Sequence, residues 1–218
     1  MFFGTKSWFK ISYFWTSMIP AYIIFLARTY SELEKNNKNI GLAISLTFVI
    51  FSMIMIFMLL NSIKKQILKF QGTKEIEVNF NPFRSTSQKE GVSNVPRIET
   101  EGFYKINSGL ISYLLGTVFS SGTLSFVSSN SIVTKFTVFI VVQLLIWFYV
   151  QNSSDSVPNI ILLIFGKDLV SVNDKYWILM NRSDLKNNLT GIKTIVPFAS
   201  TDSRNRLYVV QGDANAGD

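Results

Sequence analysis

The feature that most constrains this chain is a run of 21 residues without a charge, Ile40 to Leu60. A helix needs roughly 17–25 mostly apolar residues to cross about 30 Å of hydrocarbon, so this run predicts a membrane span. Three further blocks of this kind cover residues 11–28, 109–127 and 132–150. Four such blocks in 218 residues leave too little polar surface for a soluble protein. We therefore expect an integral membrane protein with an all-α transmembrane bundle of four helices.

The overall composition supports this prediction. Hydrophobic residues make up 48% of the chain and charged residues only 16%, against about 25% in ordinary soluble domains. The first block could also be a cleaved signal peptide, since Lys6 and Lys10 precede it. The block ends in LARTY and no A-x-A signal-peptidase site follows it. A retained span is therefore favoured.

The distribution of positive charge predicts the orientation of the spans. Of the 21 Lys and Arg residues, 17 fall in the N-terminal segment, the loop 61–108 and the tail 151–218, which four spans place on one side. Only 4 fall on the opposite side. Loops rich in Lys and Arg stay in the cytoplasm. The prediction is therefore a multi-pass protein of the bacterial inner membrane with both termini cytoplasmic.

The cytoplasmic segments carry strand patterns. Ile76, Val78 and Phe80 recur at period two in the loop, and the tail has apolar runs bounded by turn residues. We expect these tail runs to form a small β-rich module, giving an α+β protein overall. The 75–80 strand could join that module, or the module could depend on oligomer or partner contacts. The runs are Ile160–Phe165, Leu169–Val172, Tyr176–Met180, Ile192–Phe198 and Leu207–Gln211.

Several kinds of chemistry are excluded by residues that the chain lacks. It has no His and no Cys, which removes thiolate metal sites, cysteine nucleophiles, His-ligated metals and the Ser-His-Asp triad. Phosphate-binding glycine motifs and the nucleophile elbow are also absent, and no acidic or basic residue lies inside the four blocks except at their ends. We therefore predict a non-enzymatic protein without a cofactor.

The net charge of +7 does not indicate nucleic acid binding. The tail has seven basic and seven acidic residues and is neutral, so it lacks the basic surface that binds a phosphate backbone. The positive excess lies in the N-terminal segment and the loops instead. We expect no direct nucleic acid binding by this chain.

The third block is unusually rich in small and hydroxyl residues. Gly109, Ser112, Gly116 and Ser120 are spaced by three, four and four residues and share one helical face. Small residues allow close helix packing, so this face predicts a helix or oligomer interface, with Gln143 of the fourth block bonded to its hydroxyls. The alternative is a channel in which Ser112, Gly116, Ser120 and Gln143 line a pore.

A basic segment follows the second block. Lys64, Lys65 and Lys69 alternate with apolar residues in a helical pattern. Lysines at this level attract anionic lipid headgroups by about 1 kcal/mol each. They either bind the membrane surface or only fix the topology.

Four spans lie in about 150 residues, a long loop separates the second from the third, and the chain leaves the membrane through QNSSDSVPNIILLIFGKDLVSVNDKYWILM. This layout resembles the membrane subunit of the bacterial Kiwa anti-phage defence system, the KwaA family. The resemblance implies a tetrameric inner-membrane scaffold and sensor that holds KwaB, a DNA-binding effector subunit, at its cytoplasmic face. The alternatives are a small oligomeric channel and an immunity protein against a pore-forming toxin.

Overall fold

The computed structural model describes ten segments of the chain, and the elements below lie within them. The segments are residues 5–36, 38–70, 75–80, 97–100, 103–105, 132–152, 157–173, 175–186, 192–198 and 207–210. Their helices are α1 (Ser7–Asn36), α2 (Lys38–Phe70), α3 (Ile132–Asn152), α4 (Ile160–Ile164) and α5 (Arg182–Lys186). Their strands are β1 (Ile76–Asn79), β2 (Arg97–Glu99), β3 (Phe103–Lys105), β4 (Lys167–Val172), β5 (Tyr176–Asn181), β6 (Ile192–Pro197) and β7 (Leu207–Val210).

Three of the four predicted spans are confirmed as helices. The helices α1, α2 and α3 are long and apolar enough to cross a membrane, over Ser7–Tyr30, Asn39–Lys69 and Ile132–Gln151. The first span keeps Pro20 inside the helix. The third predicted span, residues 109–127, lies outside the described residues. The number of four spans therefore stays a prediction.

The helix α1 lies between α2 and α3, and its side chains touch both. The Tyr22 ring packs edge-on against Phe48 of α2 and against Phe139 of α3, with ring centroids 5.8 Å apart in each case. Phe25 of α1 stacks on Phe139 of α3 with ring centroids 4.0 Å apart, and Phe14 of α1 packs against Trp147 of α3 with centroids 5.0 Å apart. Residues later in α1 thus contact residues earlier in α3, so these two helices are antiparallel.

A seven-stranded mixed sheet lies at the N-terminal end of α1. Its strand order is β2-β1-β6-β7-β5-β4-β3, so the loop supplies both edges and the tail supplies the centre. The pairs β1–β2 and β5–β7 are parallel, and the other neighbours are antiparallel. The predicted 75–80 strand does join the tail, because β1 pairs with β6 with Val78 opposite Lys193. The β module is therefore built by loop and tail together.

Both faces of the sheet are buried. On β5, Trp177 and Leu179 face a core shared with the long helices, whereas Ile178 and Met180 face a second core. This alternation continues on the other tail strands and explains why the runs are apolar at almost every position. Side chains from Phe25, far along α1, to Val209 on β7 belong to the first core, so it continues from the helices into the sheet.

One predicted strand is wrong. The run Ile160–Phe165 forms the short helix α4, followed by a turn at Gly166 with φ of +68°. An apolar run of this length suits either a buried strand or a helix. Asn159, which precedes the run, favours the helix because its side chain caps the N-terminus.

Candidate functional site at the junction of helices and sheet

The segment before α4 is attached to α1 by the buried side-chain amide of Asn159. Its Nδ2 donates to the Tyr13 carbonyl oxygen at 3.2 Å and to Thr16 Oγ1 at 2.8 Å. Its Oδ1 accepts from the backbone N–H groups of Ile161 and Leu162 at 3.0 and 3.2 Å. An amide offers two donor protons and an oxygen with two lone pairs, so every position is used. Only 1% of Asn159 is exposed, and this complete pairing is what permits a polar group at that place.

A second bond from α1 to the same segment supports this attachment. The Tyr13 hydroxyl donates to the Val157 carbonyl oxygen at 2.7 Å. The Thr16 hydroxyl also donates back to the Ser12 carbonyl of its own helix, at 2.8 Å. Residues 157–159, which precede α4, are thus held on both sides of Pro158. We refer to Tyr13, Thr16, Val157 and Asn159 as the α1 clamp.

Aromatic packing adds a contact between α1 and the sheet. The rings of Phe9 and Phe198 lie with centroids 4.2 Å apart, and these residues are 3% and 5% exposed. Nearby, Gln66 Nε2 of α2 donates to the Pro197 carbonyl oxygen at 3.4 Å. Two helices therefore hold the end of β6. Leu59 and Ile63 of α2 extend the same buried core.

An ion pair joins the far ends of α1 and α3. Lys135 Nζ lies 2.5 Å from Glu32 Oε1, and the two side chains are 18% and 39% exposed. This contact is at the end of the helices opposite the sheet. The Glu32 carboxylate thus balances the charge of Lys135, one of the four basic residues that the sequence predicts on the outer side.

A crevice of about 550 Å³ opens between α2 and α3, with α1 as its floor. Aromatic rings line it, among them Trp15, Tyr22 and Phe48. Its other lining residues are aliphatic or aromatic except for Gln143. The Gln143 Oε1 atom is buried and has no hydrogen-bond partner among the described residues. A buried acceptor without a donor is costly, so a hydrogen-bond donor that reached this atom would stabilise the crevice.

The other predicted site residues fall into two groups. Gly109, Ser112, Gly116 and Ser120 lie outside the described residues. Lys64, Lys65 and Lys69 lie on α2, where it continues past the predicted span, and all three are exposed. Ile63 is buried in the core shared with the sheet and Gln66 is bonded to Pro197, whereas the three lysines remain exposed around these contacts.

Titratable groups of the tail interact mainly with their neighbours. Burial lowers the pKa of Lys167 and the carboxylate of Asp184 raises it, while Lys167 Nζ donates to Asn181 Oδ1. Burial raises the pKa of Tyr208, and its neighbour Tyr176 adds to this effect. Within the described segments no cluster of three or more His, Cys, Asp or Glu residues is positioned to hold a metal ion. These contacts serve the packing of the sheet.

Sequence reasoning missed the clamp. Asn159 stands directly before an apolar run, which is the position of an N-cap, and this pattern could have predicted α4. Its bonds to Tyr13 and Thr16 join residues 146 and 143 positions apart and have no local pattern.

A family model described as anti-phage protein KwaA matches residues 9–201. None of the curated proteins and none of the solved structures matches the chain significantly. The matched range includes all three long helices from Phe9 onward, the clamp, and strands β1 to β6. The chain therefore belongs to the KwaA family of anti-phage proteins.

Proposed function

We propose that this chain is a non-enzymatic scaffold and sensor in the bacterial inner membrane that recruits a soluble DNA-binding effector subunit during phage defence. The observation that carries the proposal is the continuous core from α1 to the sheet. Because Phe9 packs on Phe198 and Asn159 is bonded to Thr16, a displacement of the helices also displaces the sheet. Such a body can hold a partner at the membrane and transmit a change from one side to the other.

The charges favour a cytoplasmic sheet. Lys6 and Lys10 at the start of α1 and Lys64 and Lys65 on α2 lie at the sheet end of the helices, whereas Lys135 at the opposite end is paired with Glu32. The rule that basic segments remain inside then places the sheet and both termini in the cytoplasm. The exposed Lys64, Lys65 and Lys69 are suited to contact anionic lipid headgroups on that side.

The connectivity supports a fourth span. The strand β3 ends at Lys105 in the sheet, but α3 starts at Ile132, beside the Glu32 end of α1. The segment from 106 to 131 must therefore lead from the inner to the outer side. As a helix this segment would be about 39 Å long, which is enough for one crossing and too little for three.

The crevice between α2 and α3 offers a place for that span. Counted from the outer ends of the two spans at 127 and 132, Ser120 lies 7 residues inward and Gln143 lies 11 residues inward. In an antiparallel hairpin of helices their depths then differ by about 6 Å, or roughly one turn. The face of Gly109, Ser112, Gly116 and Ser120 would then bring a hydroxyl to the orphaned Gln143 Oε1. The apolar lining around Gln143 favours this packing role over a water-filled pore.

The long helices also support self-association. Side chains such as Met53 and Phe57 of α2 and Leu145 and Phe148 of α3 are 65–70% exposed. They give α2 and α3 apolar outer faces for lipid and for further copies of the chain. We propose a homo-oligomer, with the tetramer that the family resemblance implies.

The proposed topology predicts a specific labelling pattern. The chain has no Cys, so single cysteines can be introduced without background. Thr134→Cys, at the exposed outer end of α3, should react with a membrane-impermeant maleimide on intact spheroplasts. Lys175→Cys, at the exposed turn between β4 and β5, should react only after the membrane is permeabilised. Labelling of both sites from the outside, or of neither, would contradict a crossing between β3 and α3.

The scaffold role predicts that the chain changes the location of its partner. Expressed with the products of its neighbouring genes, the chain should bring one soluble product into the membrane fraction, and this product should remain soluble when expressed alone. The two genes together should lower phage plating efficiency, whereas neither should do so alone. A neighbour product that stays soluble in the presence of the chain would contradict the proposal. Protection by the chain alone would favour an immunity protein instead.

A further inference from the structure

The helix α4 presents two apolar side chains to its surroundings, although it belongs to the tail. Ile164 is 73% exposed and Phe165 is 51% exposed, while Ile161 and Leu162 on the same helix are buried. Among the described residues, every other large hydrophobic side chain with high exposure lies on α1, α2 or α3. Those three helices face lipid in the proposed function. The exposed pair on α4 therefore requires an explanation of its own.

The α1 clamp fixes the depth at which α4 begins. Asn159 is bonded to Tyr13 and Thr16, which precede Glu32 on one continuous helix. At about 1.5 Å of rise per residue these positions lie about 29 and 24 Å from the level of the Glu32–Lys135 ion pair. The hydrocarbon layer is about 30 Å thick. If the ion pair marks the outer boundary, α4 begins at the inner boundary.

The shortness of α4 keeps its exposed end near this level. Phe165 follows Asn159 by six residues, a helical rise of about 9 Å at most. The headgroup layer adds about 5–7 Å on each side of the hydrocarbon. Whichever way α4 points, Ile164 and Phe165 remain close to that layer. The backbone N–H of the exposed Arg182 donates to the Gly166 carbonyl at 2.7 Å, which places a cationic residue beside the same end.

We infer that α4 is an interfacial lipid anchor, with Ile164 and Phe165 inserted into the cytoplasmic leaflet. An apolar surface beside a basic residue is the combination that binds at the boundary between headgroups and acyl chains. The anchor gives the sheet a second attachment to the membrane besides the clamp, and it fixes the height of the sheet above the lipid. This inference rests on the membrane insertion proposed above.

The test uses spin labels on single cysteines in the otherwise Cys-free full-length chain. The variants are Phe165→Cys, Met53→Cys on the exposed face of α2, and Lys175→Cys at the β4–β5 turn. Each is reconstituted in vesicles of phosphatidylethanolamine and phosphatidylglycerol. At position 165 collisions with oxygen should exceed those with a water-soluble nickel chelate, as at position 53, and at position 175 the nickel chelate should dominate.

The outcomes separate this inference from the proposed function. A lipid-exposed label at 53 with a water-exposed label at 165 overturns the lipid anchor and leaves membrane insertion intact. A label at 165 shielded from both reagents also overturns it, because the pair is then covered by protein. A water-exposed label at 53 contradicts the membrane insertion itself.

Discussion

Replacing Asn159 with Leu should lower the free energy of unfolding by about 3–5 kcal/mol and abolish phage defence. The variant removes the cap of α4 and so leaves the buried Ile161 and Leu162 N–H groups without their acceptor. On α1 it removes a donor to the Tyr13 carbonyl oxygen and to Thr16 Oγ1, but both atoms keep bonds within the helix. The main loss therefore comes from the two N–H groups of α4, since each buried polar group left unpaired costs about 1–3 kcal/mol. In thermal unfolding of the detergent-solubilised protein we expect the Tm to fall by about 10 °C or more.

The variant Asn159→Asp distinguishes the role of the amide oxygen as an acceptor from the role of the amide nitrogen as a donor. The carboxylate keeps the acceptor that caps α4 but loses the two donor protons, and it sets a negative charge against the Tyr13 carbonyl oxygen. If the attachment to α1 matters, this variant should be no more stable than Asn159→Ala. If only the cap matters, it should resemble the wild type. Asn61→Ala, a half-buried amide on α2, serves as the matched control and should leave the Tm and plating efficiency nearly unchanged.

The helical part of the fold could be predicted because its cause is local. A long uncharged run has one stable state in a bilayer, since a spanning backbone must satisfy its own hydrogen bonds. The runs around Ile40–Leu60 and Ile132–Val150 therefore led directly to α2 and α3. Helical spacing also separates Lys64, Lys65 and Lys69 from the buried Ile63, and all three are exposed, while their contact with the membrane surface stays a prediction.

The sheet could be predicted only as separate strands. Period-two patterns indicate that a segment is extended, but they do not say which strand lies beside it. The parallel pair β5–β7, with Trp177 opposite Leu207, joins two strands that α5 and β6 separate in the chain. The strands β2 and β3 from the loop occupy the two edges, although each has only three residues. Such pairings depend on the whole core and are invisible in any short window.

The junction was missed for the same reason. The sequence around Phe9 is rich in aromatic residues, but it does not indicate that one of them packs on Phe198. Likewise, the sequence around Asn159 is typical of a linker, and its bond to Thr16 of α1 is seen only in the structure. Contacts that join a helix to a distant strand are therefore the part of this protein that only the structure reveals.

Phe198→Ala should be as damaging as the loss of Asn159, through packing rather than hydrogen bonding. Phe198 is buried at the end of β6, and truncation of a buried Phe costs about 3–5 kcal/mol through lost burial and the cavity left behind. Phe9→Ala should cost a similar amount from the α1 side. Because the two rings touch, the double variant should be less destabilised than the sum of the single variants, by about 0.5–1.5 kcal/mol.

This double-mutant cycle measures whether the helices and the sheet unfold as one body. The readouts are the Tm of the purified protein and the rate at which a protease cleaves the tail. The control is Phe57→Ala, in which an exposed ring of α2 is removed and little change is expected. Strict additivity of Phe9→Ala and Phe198→Ala would mean that α1 and the sheet are energetically independent. In that case the contact could not carry a displacement from the membrane to a bound partner, and the sensor role would require another route.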